Sequence, residues 1–66
     1  MSPQLLRTMR RMEGHRVSVR LEDGSRLDCE LVSSARRGAQ TVWLHDTGGR
    51  DHFVPVASIT DVRERA

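Results

Sequence analysis

The sequence predicts a mainly β domain: one short N-terminal α-helix followed by a five-stranded, strongly bent antiparallel barrel. Three observations carry this expectation. Apolar residues recur at helical spacing at the front of the chain and at alternating positions from Arg16 onward. Five short segments of strand character follow that switch. Asp23-Gly24 and Gly48-Gly49 place tight-turn chemistry between successive segments.

Ser2-Pro3 reads as an N-cap with proline at the first helical position. Leu5, Met9 and Met12 form one apolar stripe with Leu6 beside it, Arg7, Arg10 and Arg11 project mostly away, and Gly14 suits a C-terminal cap. A helix over about residues 3–13 is too short to persist alone, so it must lie on the rest of the domain.

The barrel is expected over about residues 15–64. Val17, Val19 and Leu21 alternate with polar residues, as do Leu27, Cys29 and Leu31 beyond the first turn. Facing apolar residues across that hairpin pairs Leu21 with Leu27, Val19 with Cys29 and Val17 with Leu31. The same register sets Arg20 opposite Asp28 and Glu22 opposite Arg26. Residues 33–40 make a polar break containing Arg36-Arg37-Gly38. Third and fourth strands follow over residues 41–45 and 52–56. Pairing Leu44 with Val54 and Val42 with Val56 gathers the aliphatics on one face and leaves Trp43, His45, Phe53 and Pro55 on the other. A two-residue Gly48-Gly49 turn would instead pair Leu44 with Phe53. Ile59 and Val62 begin a short fifth strand, with fraying expected over residues 63–66. Residues 1–66 form a single domain without repeats or linkers.

Sixty-six residues lie near the lower limit for an unaided core. The lone Cys29 excludes an internal disulfide, and one cysteine with three scattered histidines is poor material for structural zinc. Self-association is therefore the expected source of extra stability. No apolar run approaches the roughly 18 residues of a membrane span. Leu5-Leu6 is followed at once by Arg7, unlike the apolar core of a signal peptide. The expectation is a cytoplasmic chain with a reduced thiol and no membrane partner.

All eleven basic residues are arginine, from a GC-rich genome or from selection for guanidinium chemistry. Residues 1–20 carry five Arg against Glu13 alone, whereas residues 21–66 carry six Arg against eight acids. A basic front end on a near-neutral body suits docking to nucleic acid or to an acidic protein surface.

The stretch from Leu5-Leu6-Arg7-Thr8-Met9-Arg10-Arg11 through Val17-Ser18-Val19-Arg20-Leu21-Glu22-Asp23-Gly24-Ser25-Arg26-Leu27, resumed at Val42-Trp43-Leu44 and Ala57-Ser58-Ile59-Thr60-Asp61-Val62, resembles the Sm-like (LSm/Hfq-like) small β-barrel family. The resemblance implies an SH3-like/Sm-like barrel, assembly into rings through edge strands, and RNA on ring faces and rims. The family's nucleotide-reading residues are missing here. Phe53-Val54-Pro55-Val56-Ala57 stands where such proteins carry Tyr-Lys-His or Arg-Gly, Ser33-Ser34-Ala35 replaces an acidic or Asn residue, and Cys29 stands in place of a strand-bending glycine. The pattern also resembles other SH3-like barrels, including WYL and PRC-barrel modules.

Two functions are therefore expected as alternatives. One is an RNA-binding or RNA-chaperone module acting as a homo-oligomer, ring or dimer, with phosphates held by Arg7, Arg10, Arg11, Arg36 and Arg37. The other is a protein-interaction or dimerisation barrel without nucleic acid, its partner surface built from Trp43, Phe53 and the apolar stripe of the helix. Those two aromatics would otherwise stack bases or pack between subunits. A small-ligand barrel would need a pocket that the sequence does not display. His15, His45 and His52 read as surface residues and Cys29 as a packed core thiol. No cofactor or metal is expected, and no catalytic constellation is present, so the chain is not expected to be an enzyme.

Overall fold

The computed structural model describes residues 3–34 and 40–65. Helix α1 (Pro3–Arg11) precedes strands β1 (Arg16–Leu21), β2 (Arg26–Ser33), β3 (Thr41–Asp46) and β4 (Asp51–Pro55). A 3-10 turn (Val56–Ser58) leads into β5 (Ile59–Glu64). The strands form one antiparallel sheet in the order β4-β3-β2-β1-β5, bent around a single core. This is the mainly β, helix-plus-five-strand architecture that the alternation predicts. The sheet is open, with β4 and β5 as its margins.

Helix α1 stops two residues earlier than expected. Gly14 closes the turn beyond it with φ +85, and its N–H donates to the Leu31 carbonyl at 2.7 Å. Met9 is fully buried, Leu5, Leu6 and Met12 pack partly against the core, and Arg7, Arg10 and Arg11 are exposed. Beyond α1, Glu13 Oε2 accepts from both the N–H and the hydroxyl of Ser34, each at 2.8 Å. That contact ties the helix to the end of β2 and satisfies a serine that is only 1% exposed.

Both hairpin registers differ from expectation by two residues, for one reason. Each turn is a three-residue loop ending in a glycine of positive φ, Gly24 at +88 and Gly49 at +85. In the first, Gly24 N–H donates to the Leu21 carbonyl at 2.9 Å and Leu21 N–H to the Ser25 carbonyl at 2.9 Å. In the second, Gly49 donates to Asp46 at 3.1 Å and Asp46 to Arg50 at 2.8 Å. The first hairpin therefore pairs Val17 with Cys29, Val19 with Leu27 and Arg20 with Arg26. Arg20 does not face Asp28, and Glu22 lies in the loop. The second hairpin pairs Val42 with Val54, Trp43 with Phe53 and Leu44 with His52. A shift of two keeps every side chain on its expected face, so Trp43, His45, Phe53 and Pro55 still point outward.

Two bulges shape the rest. The β2–β3 register slips at Val32, which bends β2. The β1–β5 register slips at Thr60, so Ile59 and Val62 both reach the core despite odd spacing. Strand β5 runs on through Arg63 and Glu64, and Arg65 N–H donates to the Arg16 carbonyl at 2.8 Å. Over residues 63–65 the expected fraying is absent because β1 supplies partners.

Those end bonds fix which margin groups lack a strand. Antiparallel hydrogen bonding alternates, so Val62 and Glu64 turn their N–H and C=O groups away from β1. On β4, the bonds Asp46–Arg50 and Val56–Gln40 leave Asp51 and Phe53 pointing outward, with Pro55 offering no N–H at the end.

Candidate nucleic-acid and aromatic surfaces

Arg7, Arg10 and Arg11 lie on the solvent side of α1 because the Met9 stripe is held in the core. Arg7 and Arg11, one turn apart, make no ion pair among the described residues. The helix carries no acid in its first turn, and Arg10 and Arg11 occupy its last turn, where cations offset the helix dipole. Arg36 and Arg37 lie outside the described residues.

The register brings Trp43 and Phe53 together on the outer face of β3 and β4, with ring centroids 5.7 Å apart and an interplanar angle of 26°. They remain 39% and 65% exposed. Helix α1 packs chiefly against β5, whereas the aromatic pair lies on β3 and β4.

Sequence reasoning missed the charged row beside the pair. Three ladders align Arg16, Glu30, His45 and Asp51 across β1, β2, β3 and β4. Asp51 Oδ1 accepts from Trp43 Nε1 at 3.0 Å and lies 2.9 Å from His45 Nδ1. The His45 bond holds Asp51 below the usual carboxylate range, with help from Trp43, and the Asp51 bond holds His45 above the usual imidazole range. The alternation shows that these residues share a face. Only the three-residue turn shows that they are neighbours.

Asp46 organises the second turn. Its Oδ1 accepts from Gly48 N–H at 2.8 Å and Arg50 N–H at 2.9 Å, and its Oδ2 lies 2.6 Å from His52 Nε2. The His52 bond, then the Arg50 N–H, pull the Asp46 carboxyl down to about 2. A depressed carboxyl contributes stability above its unfolded value near 3.8 and loses that contribution as pH falls toward about 2. His45 has the opposite sign: its contribution is full below the ordinary value of 6.5 and is lost as pH rises through its raised folded value. Thermal unfolding followed from pH 2 to 8 is expected to show an acid decline between about 4 and 2 that Asp46→Asn flattens. An unchanged acid limb in that variant would contradict the assignment.

Cys29 is buried, and its Sγ lies 3.7 Å from the Leu27 carbonyl. Burial, with Asp28 and Asp46 nearby, pushes the thiol up to about 11. Thiol-reactive reagents at neutral pH are expected to modify it only as fast as the fold opens, and rapid modification of the folded chain would contradict a core position.

A cleft of about 180 Å³ on the outer face is bordered by Arg16, Glu30, His45, Asp46 and Arg65. It is smaller than the usual small-molecule site of roughly 300 Å³ or more, and an Arg65–Asp28 ion pair of 2.6 Å stands beside it. Among the described residues, no three His, Cys, Asp or Glu side chains converge as metal ligands, and no helix is long and apolar enough to cross a membrane. No protein-family model matches the chain, and no curated protein matches it.

Proposed function

We propose that the chain is a cytoplasmic, non-catalytic, Sm-like RNA-binding module that works as a homo-oligomer. The observation that carries this reading is the basic stripe of α1: Arg7 and Arg11 are exposed and make no ion pair among the described residues, beside exposed Arg10. Unpaired guanidinium groups on a rigid helix bind phosphate at little reorganisation cost and independently of base sequence. The unpaired margins support assembly. The outward N–H and C=O groups of Asp51 and Phe53 on β4 match those of Val62 and Glu64 on β5, so a β4 margin pairs with the β5 margin of a neighbouring copy.

Glu64→Pro tests the assembly. Its N–H points away from β1, so proline removes no backbone hydrogen bond within the chain, only the exposed 3.8 Å His15–Glu64 side-chain pair, yet blocks an incoming strand. The expected result is loss of oligomer mass in light scattering with the fold retained. An unchanged mass would sink the edge-pairing mode. A second reading, a protein-interaction barrel, is favoured by the exposed Trp43–Phe53 pair, because large aromatics left in solvent anchor partners.

A further inference from the structure

Phosphate binding on α1 leaves the outer face of β3 and β4 without a role. There Trp43 and Phe53 are stacked and exposed, and Asp51 Oδ1 is engaged by Trp43 and His45 while Oδ2 makes no hydrogen bond or ion pair among the described residues. Glu30 stands two strands from Asp51 in the same row. In that row Arg16 faces Glu30 and His45 shares Oδ1 of Asp51, so Asp51 Oδ2 is the acid left beside the rings. A guanidinium lies flat on the aromatic pair while its N–H groups reach that oxygen.

The chain itself supplies that group. Arg7 and Arg11 share one face of α1 and make no ion pair among the described residues. Within its own chain α1 packs chiefly against β5, at the opposite margin of the sheet from β4. We propose that the Trp43–Phe53–Asp51 face receives the Arg7/Arg11 stripe of a second copy. Face and stripe are different surfaces, so each copy that offers its helix still presents an open face, and the contact propagates head to tail. A polyanion bound to the stripe competes with it. The contact does not depend on RNA being that polyanion.

Trp43 is the only tryptophan, which permits a mixing experiment between two full-length variants. The acceptor carries Arg7→Ala, Arg10→Ala and Arg11→Ala and keeps Trp43. The donor carries Trp43→Ala and keeps its arginines, with Trp43→Phe as the substitute donor if the alanine variant fails to fold. At low ionic strength, adding donor is expected to shift acceptor emission to shorter wavelength, and salt is expected to reverse the shift. Asp51→Asn in the acceptor is expected to weaken the response roughly threefold, the scale of one exposed cationic contact. Unchanged emission would overturn the proposal, as would an equal response to a donor that also lacks the three arginines. Filter binding keeps the RNA reading separate. Trp43→Ala is expected to retain full RNA affinity, and a loss there would assign the face to RNA bases and overturn docking of a second copy.

Discussion

Leu31→Ala is expected to remove a large share of the chain's stability at 25 °C. Leu31 is fully buried on β2 and faces Leu44 across the β2–β3 ladder, also fully buried. Truncating such a leucine costs about 2–5 kcal/mol, the transfer term plus the cavity left behind. A domain of this size holds only about 3–10 kcal/mol in total. The substitution therefore removes a large share of the margin. Phe53→Ala, at an exposed position, is expected to cost far less. Urea unfolding at several chain concentrations checks both, since association contributes to apparent stability. A Leu31→Ala midpoint close to that of the unsubstituted chain would contradict the core assignment.

Replacing Arg7, Arg10 and Arg11 together by alanine is expected to remove most salt-sensitive RNA affinity. Each phosphate contact with single-stranded nucleic acid contributes about −0.7 to the slope of log affinity against log salt, so three contribute roughly −2. Between about 50 and 200 mM salt, those contacts alone account for a loss on the order of 20-fold. The triple variant is expected to bind weakly at low salt and to lose that slope, with its thermal unfolding little changed because all three side chains are exposed. Filter binding over a salt series measures it. A slope unaltered by the substitutions would place the anion contacts elsewhere.

The fold class and the faces were legible because they depend on local periodicity. Alternation from Val17 to Leu21 and from Leu27 to Leu31 decides which side chains enter the core, and a slip of two residues leaves that decision intact. Register was not legible from apolar matching for the same reason: Val19 faces an apolar partner whether it meets Leu27 or Cys29. Turn chemistry decided it. Glycine at the third loop position, Gly24 and Gly49, marks a three-residue loop with a positive-φ end, and reading it so would have placed Arg20 against Arg26 and Trp43 against Phe53. The long run of β5 was obscured by the bulge at Thr60, which breaks the alternation between Ile59 and Val62.

The candidate surfaces divide along the same line. Exposure of Arg7, Arg10 and Arg11 follows from the helical stripe of Leu5, Met9 and Met12. The network of Asp51 with Trp43 and His45 joins positions eight and six residues apart, and it exists only in the observed register. No residue type in the sequence announces it, since aspartate beside a turn is ordinary.

The solution mass of the purified chain, followed by light scattering at low salt while a short single-stranded RNA is added, tests the proposed function most directly. The expected result is a multiple of the 7.5 kDa chain that takes up RNA and releases it as salt is raised. A 7.5 kDa monomer whose mass does not change when RNA is added would contradict both the assembly and the ligand.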